Sequence, residues 1–386
     1  MSTMANWNYP TGVWFGAGRI AELPQACRAL RMERPLVVTD RGLADAGITQ
    51  QLLRVLSDAG IPAVLCSEAQ PNPVLENLER ALAVFRLGNH DGVIAFGGGS
   101  GLDLGKLVAF MAGQTLPVWD FEDVGDAWTK AQTDTIAPII AVPTTAGTGS
   151  EVGRAGVLTD ATTQTKKVIF HPRMLPGIVI CDPALTIGLP PIITAGTGMD
   201  ALAHCLEAYC APGYHPMADG IAVEGIRLVF DNLPRVMKDG ADIAARGHMM
   251  TAAAMGATAF QKGLGGMHAL AHPIGAIYNT HHGMTNAVVM PYVLRFNRPA
   301  IEPRIERLAR WLGIDGGYDG FLAAVVRLRA QVGIPRALAD LGVTDQETAR
   351  IALMAVNDPT AAGNPVPLRP GDAAALFGAA LRGDSI

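Results

Sequence analysis

Apolar positions follow one rhythm in the first half of the chain and another in the second. In the first half, short apolar runs alternate with stretches of helical spacing. LVVTD (36–40) is an apolar run that ends on Asp40, and Leu52, Leu53 and Leu56 mark a helix over roughly 45–59. AVLC (63–66) predicts a second strand. PNPVLENLERALAVFRLG (71–88) reads as a turn and then a helix, with Leu75, Leu78, Leu82 and Phe85 on one face. Pro73 stands where a first helical turn tolerates proline. GVIAF (92–96) predicts a third strand running into GGGSGLDLGKLVAFMAG (97–113), a loop that opens a helix. IAPIIAVP (136–143) and GIVICDP (177–183) supply two more strands, the first followed by TTAGTGSE (144–151). Strands alternating with helices imply a parallel sheet covered on both faces. Ligands are then expected at the strand C-terminal ends, where the glycine loops lie.

After Pro190 and Pro191 the strand pattern stops. Ala-, Leu- and Met-rich stretches at 194–211, 217–232, 242–262, 300–312 and 320–333 predict helices only. The expected organisation is an α/β domain over 1–190 and an all-helical domain over 191–386. A cleft between two such domains is a common place for an active site.

Composition narrows the class. Apolar residues at 49% against 17% charged can bury a large core, the reverse of a disordered chain. Thirty basic and 35 acidic residues leave a net charge of −5, which excludes a strongly basic nucleic-acid or anionic-membrane binder. No apolar run approaches the roughly 18 to 20 residues that span a bilayer. MSTMANWNYP has neither the basic nor the apolar region of a signal peptide, so a cytoplasmic protein is expected. Cys27, Cys66, Cys181, Cys205 and Cys210 are odd in number and form no CxxC pair. That indicates neither a disulfide framework nor a thiolate zinc site.

Two loops carry the first candidate chemistry. GGGS (97–100) follows a strand and starts a helix, so its backbone N–H groups and the helix dipole suit a phosphate. It is not the GxGxxG fingerprint, and a tight strand-to-helix turn uses glycines equally well. TTAGTGSE (144–151) repeats the arrangement and adds hydroxyls. Asp40, at the end of its strand, can accept from ribose hydroxyls and repel a 2′-phosphate, which favours NAD over NADP. Asp-Arg-Gly is also good turn chemistry. Asp103, inside the glycine-loop helix, can serve the helix dipole.

The second candidate chemistry lies in the helical half, which holds seven of the nine histidines. In GMDALAHCLEAY, Asp200 and His204 are four apart and share a helix face, as do His268 and His272 in MHALAHPIGA. His282 follows in NTHHGMTN. A DxxxH pair with two later histidines offers an Asp-His-His-His set suited to a divalent first-row metal. Each histidine alone reads as a core or surface residue, and His90, His171, His215, His248 and His281 keep that reading.

These motifs carry a resemblance that runs essentially end to end. WFGAGR (14–19), LVVTD (36–40), PNP (71–73), GGGS (97–100), AVPTTAGTGSEV (141–152), GMDALAHCLEAY (198–209), GLGGMHALAHPIGAIYNTHHGMTNAVVMP (263–291) and GNP (363–365) resemble the iron-containing, or group III, alcohol dehydrogenases. The resemblance implies a dehydroquinate-synthase-like fold: a Rossmann-like α/β nucleotide domain followed by an all-α domain. It implies metal ligands Asp200, His204, His268 and His282, with ferrous iron the usual metal and zinc in some members. His272 matches a histidine near the nicotinamide that is not a ligand, a candidate proton relay. Asp40, Asn72, Gly97, Gly98, Gly99, Ser100, Thr144, Thr145 and Thr148 match dinucleotide contacts, and Lys166 matches a ribose-contacting lysine. A small alcohol or aldehyde substrate and a homodimer or larger assembly are implied, and the aromatic segment WNYPTGVWFG (7–16) is a candidate edge strand for a partner subunit.

The chain departs from the pattern in places. GGGSGLDLGK stands where GGGSPxDxAK is commoner, so Gly101 and Gly105 replace proline and alanine, and a looser phosphate site is expected around the retained Asp103 and Lys106. Ala259, Phe260 and Thr360 fall near variable substrate-pocket positions. Glycerol dehydrogenase, maleylacetate reductase and a dehydroquinate-synthase-like lyase are the alternative activities on this fold. The lyase needs phosphate-binding cations, and 194–290 holds only Arg227, Arg235, Lys238, Arg246 and Lys262, none in the ligand motifs. The full ligand set disfavours the metal-free reductase.

Overall fold

A computed structural model describes Tyr9 and residues 11–386. Trp7, Asn8 and Pro10 of the aromatic N-terminal segment lie outside the described residues. The elements are β1 (Gly12–Phe15), α1 (Leu23–Ala29), β2 (Pro35–Asp40), α2 (Arg41–Ala44), α3 (Gly47–Asp58), β3 (Val64–Ala69), α4 (Leu75–Leu87), β4 (Gly92–Gly97), α5 (Gly99–Met111), β5 (Ile139–Pro143), β6 (Ala155–Asp160), β7 (Thr165–Phe170) and β8 (Ile178–Cys181). Helices follow: α6 (Pro191–Cys210), α7 (Pro216–Lys238), α8 (Ile243–Ala259), α9 (Gly266–Tyr278), α10 (His282–Trp311), α11 (Gly317–Gln331), α12 (Thr348–Asn357) and α13 (Pro370–Arg382). Two compact units result. One comprises Tyr9–Thr145 with Gly149–Gly188, the other Leu189–Ile386 with Ala146–Thr148.

The first unit is built on a six-stranded sheet in the order β1-β8-β5-β4-β2-β3, parallel throughout. Its central strands are buried on both faces, so they read as continuous apolar runs rather than alternating ones. The core gathers Val37, Ile94, Phe96, Ile140, Val142 and Ile180 under Leu23, Leu52 and Leu56. β1 falls in the aromatic segment expected as an edge strand for a partner subunit; it pairs instead with β8 of its own chain and supplies one edge of this sheet. The antiparallel hairpin β6–β7 was not predicted. It lies against α5, and a side chain at Gly156 would come within 2.8 Å of Leu107.

The second unit is helical, as expected, around a core that includes Leu202, Leu206, Ile226, Val229, Leu270, Val289 and Phe321. The stretch predicted over 300–312 is the end of a helix that starts at His282. Pro291, Pro299 and Pro303 lie inside it and break the apolar spacing that a sequence pattern relies on. α12 and α13 were not predicted. No described helix is long and apolar enough to cross a membrane. All five cysteines are buried thiols, and burial pushes those of Cys27, Cys205 and Cys210 up to about 12.

Candidate metal centre and glycine loops

Three helices of the second unit bring the ligand candidates together. α6 carries Asp200 and His204 one turn apart. α9 carries His268 on its first turn, and α10 opens on His282. His281 caps α10, its Nδ1 accepting from Met284 N at 3.3 Å. The next residue decides how near α10 comes to α6. A Cβ on Gly283 would lie 2.2 Å from the Gly196 carbonyl oxygen, so only glycine allows this approach. His282 Nε2 is thereby brought 3.7 Å from Asp200 Oδ1.

The donor atoms converge. Asp200, His204 and His268 are buried, and each presents a donor atom within 4.8 Å of the others. Asn286, one turn beyond His282, donates through Nδ2 to Asp200 Oδ1 at 2.9 Å. The same nitrogen lies 3.2 Å from His268 Nε2 and 3.1 Å from His282 Nε2. One carboxylate and two imidazoles within 4.8 Å, with a third imidazole 3.7 Å from the carboxylate, suit a divalent first-row ion. A buried carboxylate also favours a nearby positive charge, which such an ion supplies. The residues present therefore fit the metal that the ligand motif implies.

The electrostatics agree. Burial pushes His204 down to about 4, against the pull of Asp200, so the ring is neutral near pH 7 as ligation requires. Burial also opposes a charge on His268. There the charge of Glu207 and its hydrogen bond outweigh burial and raise the ring.

Supporting side chains surround the ligands. Glu207, on α6, accepts from Met267 N at 2.6 Å and faces His268 Nδ1 at 2.6 Å. His272 is set by Asp358, whose Oδ2 is 2.8 Å from Nδ1, while the ring stacks on His282 with centroids 5.4 Å apart. Burial works against the Asp358 charge, but His272 and the Thr360 hydrogen bonds more than compensate and hold the carboxyl below its usual range. Asn364 and Asn297 exchange amide hydrogen bonds at 2.8 Å, and Asn364 Oδ1 also accepts from Gly266 N at the start of α9. The GNP motif thus clasps the helix that carries His268.

Of the pocket positions read from sequence, Phe260 packs against the His204 ring with centroids 5.2 Å apart. Ala259 is fully buried in the helical core, and Thr360 donates through N and Oγ1 to Asp358 Oδ1 at 2.9 and 2.6 Å. Three of the remaining histidines serve the scaffold. His171 and His215 accept from Arg173 N and Ala218 N, and His90 Nδ1 donates to the Arg34 carbonyl.

In the sheet unit, the glycine loop and the threonine loop leave adjacent strands, β4 and β5. Thr144 N donates to the Gly97 carbonyl at 2.9 Å, and a Cβ on Gly98 would touch Thr145 at 3.1 Å. Gly97 has φ +141°, Gly98 caps α5, and the helix starts at Gly99 with Ser100 next. The first-turn N–H groups of such a helix have no carbonyl within it, and they are the groups that bind phosphate. Asp40 Oδ1 caps α2 by accepting from Leu43 N at 3.0 Å, while Oδ2 lies toward Gly97. Asn72 sits in a left-handed turn, φ +54°, and the neighbouring Pro73 carbonyl accepts from Thr159 N at 2.7 Å. Lys166 stands directly across the hairpin from Thr159. Thr148 groups with the helical unit.

Asp103 and Lys106 have another task. Asp103 accepts from Ser150 Oγ and from Val157 N, and it pairs with Lys106 at 3.3 Å. Lys106 is buried and donates to the Ser150 and Ala155 carbonyls. The pair ties α5 to the threonine loop and to β6. Gly105 lies where α5 presses on β4: a Cβ there would lie 2.6 Å from the Ala95 Cβ.

Residues 10–183 match the family model described as iron-containing alcohol dehydrogenase, and 194–381 match that of the family's C-terminal domain. A 4-hydroxybutyrate dehydrogenase of Cupriavidus necator is 38% identical over 94% of this chain and 96% of its own. The chain belongs to the iron-containing alcohol dehydrogenase family. A crystal structure of 1,3-propanediol oxidoreductase, 36% identical, covers 98% of this chain and 100% of its own with a TM-score of 0.93. Sulfoacetaldehyde reductase from Bifidobacterium kashiwanohense, solved in complex with NAD+, is 28% identical over 98% of both chains with a TM-score of 0.88. As a member of this family the chain is an oxidoreductase acting on CH–OH groups, interconverting alcohols and aldehydes. Glu207, Asn286 and Asp358 were not singled out from sequence. Glu207 continues the Asp200–His204 face at i+7, and Asn286 lies at i+4 from His282, so helix periodicity held a signal for both. Asp358 is 86 residues from His272 and had none.

Proposed function

We propose that this chain is an NAD(H)-linked, ferrous-iron-dependent dehydrogenase of short primary alcohols, reversibly transferring hydride between the alcohol carbon and nicotinamide C4. The observation that carries the reading is the convergence of Asp200, His268 and His282 on one point, with His204 in the same buried group. These four residues would hold the ion. When bound, it supplies Lewis acidity toward an alcohol or carbonyl oxygen. Gly97, Gly98, Gly99 and Ser100 would bind the pyrophosphate through backbone N–H groups, with Thr144 and Thr145 alongside. Asp40 Oδ2 would accept from the ribose, and Asn72, from the turn before α4, and Lys166, from the hairpin, would contact the same cofactor. NAD rather than NADP follows from the Asp40 charge. His272 would take up and release the alcohol proton at Nε2, since Asp358 holds its Nδ1 side. Phe260, against His204, would limit the substrate to a short chain.

The relatives' names point to diols and hydroxy acids as the first substrates to test. A dimer or larger assembly and a cytoplasmic location go with the family resemblance; a monomer in light scattering would remove the first.

The test is anaerobic. Ferrous-loaded protein is given NADH and a panel of short aldehydes, including 3-hydroxypropanal and succinic semialdehyde, beside a chelator-stripped control. Metal-dependent loss of NADH absorbance is the expected result, and the same activity after zinc loading would replace iron by zinc. No turnover in spite of bound metal and NADH would overturn the proposal. His272→Ala should change the pH–rate profile; an unchanged profile and turnover would remove its proton role.

A further inference from the structure

We infer that Glu207 is the positioning residue that makes His268 a metal ligand: its carboxylate holds the ring as the Nδ1–H tautomer and leaves Nε2 with a lone pair for the ion. The inference rests on the metal reading above. It starts from two neighbours on opposite sides of one ring. Glu207 Oε2 is 2.6 Å from His268 Nδ1, and a carboxylate can only accept, so that nitrogen carries the proton. On the far side, Asn286 Nδ2 lies 3.2 Å from Nε2, and an amide nitrogen does not accept, so a proton on Nε2 would find no acceptor in it. Both neighbours require the same tautomer, the one that points a lone pair at the other donors.

The carboxylate itself cannot turn. Its second oxygen, Oε1, is held by Met267 N at 2.6 Å, and the residue is buried. Rotation would leave a backbone N–H or the imidazole N–H unpaired in the core. Glu207 also stands on α6, seven residues after Asp200 and three after His204. One rigid helix therefore supplies two ligands and fixes a third that belongs to α9. The Asn364 amide, on Gly266 N at 3.0 Å, holds the same helix start from its other side. A carboxylate behind a ligating imidazole raises its basicity as well as fixing its orientation, and removing one costs about 10- to 100-fold in metal affinity.

Glu207→Gln separates this role from simple capping of α9. The variant keeps an acceptor for Met267 N but sets an NH2 group against His268 Nδ1, which drives the ring to the Nε2–H tautomer. Metal-free protein is titrated with zinc in competition with a chromogenic chelator, and its melting is followed separately. The expected result is an affinity about 10- to 100-fold weaker than wild type, with metal-free melting little changed. Unchanged affinity, with or without a lower melting temperature, overturns the inference. A second measurement needs no variant. In zinc-loaded wild-type protein with 15N-labelled histidine, His268 should show a proton on Nδ1; a bare Nδ1 overturns the inference. Failure of wild-type protein itself to bind zinc would sink the metal reading and this inference together. Wild-type binding with an unaffected variant sinks this inference alone.

Discussion

In the sheet unit the loops after β4 and β5 offer backbone, whereas in the helical unit α6, α9 and α10 offer side chains. Two charged groups of the first brace it: Asp103 and Lys106 tie α5 to the segments beside it. In the second, Asp200, His204 and His268 present donor atoms within 4.8 Å of one another, His282 Nε2 lies 3.7 Å from Asp200, Glu207 and Asn286 bond to this group, and Asp358 sets the neighbouring His272. Sites made of backbone tolerate changes of side chain but fail when a Cβ intrudes. Sites made of side chains depend on a further layer of buried polar groups, because each donor must be held in one rotamer and one protonation state.

Asp200→Ala should break the comparison most strongly. Zinc titration should show the high-affinity site gone, and kcat/KM for aldehyde reduction should fall by about 10²- to 10³-fold or more, the scale set by losing a charge-stabilising group. The fold of the sheet unit, read as NADH binding by fluorescence, should survive. Retained metal affinity would show that the side-chain site does not depend on its carboxylate.

Gly283→Ala comes next. Its Cβ would meet the Gly196 carbonyl at 2.2 Å and Asp200 Cβ at 2.9 Å, so α10 must move off α6 and draw His282 away. Overpacking of this kind costs about 1–3 kcal/mol, visible as a lower melting temperature, and zinc affinity should fall with it. The counterpart in the sheet unit is Gly105→Ala, against Ala95. The same range of about 1–3 kcal/mol is expected, with NADH affinity weakened and zinc affinity untouched. Adding Ala95→Gly should restore part of the loss, since it removes the 2.6 Å contact and leaves the 2.9 Å one to the Ala95 Cα.

The smallest effect is a pH slope. Burial pushes the Glu151 carboxyl up to about 7. A raised carboxyl contributes stability that is fully present below its unfolded value near 4.5 and is lost as pH rises through about 7. Between pH 5 and 8 the metal-free wild type should therefore lose more melting temperature than Glu151→Gln does. Parallel curves for the two proteins would remove Glu151 from the account. His204 has the opposite sign. Its ring is pushed down to about 4, so its contribution is present above its ordinary 6.5 and is lost as pH falls through 4. It affects both proteins alike.

Much of the fold was legible because its cues are local. LVVTD, GVIAF and IIAVP are buried on both faces of a parallel sheet, and such strands show as unbroken apolar runs. β6 and β7 escaped because half-exposed residues such as Thr159, Lys166 and Lys167 interrupt the run and hide the pairing. The prolines within α10 hid the part before residue 300 for a related reason: they mimic a helix boundary, yet the surrounding packing carries the helix through.

The sequence by itself determined the two-part plan, the glycine loops and the four ligand candidates, because strand runs, strand-to-helix turns and i,i+4 pairs are set by residues close in the chain. The tertiary structure decided what each polar group is used for. It turned Asp103 and Lys106 into a brace, Thr360 into a partner of Asp358, and GNP into a clasp on α9. It also set Glu207 behind His268 across 61 residues. Buried polar groups must find partners wherever the fold brings one within about 3 Å, and no local spacing encodes that distance.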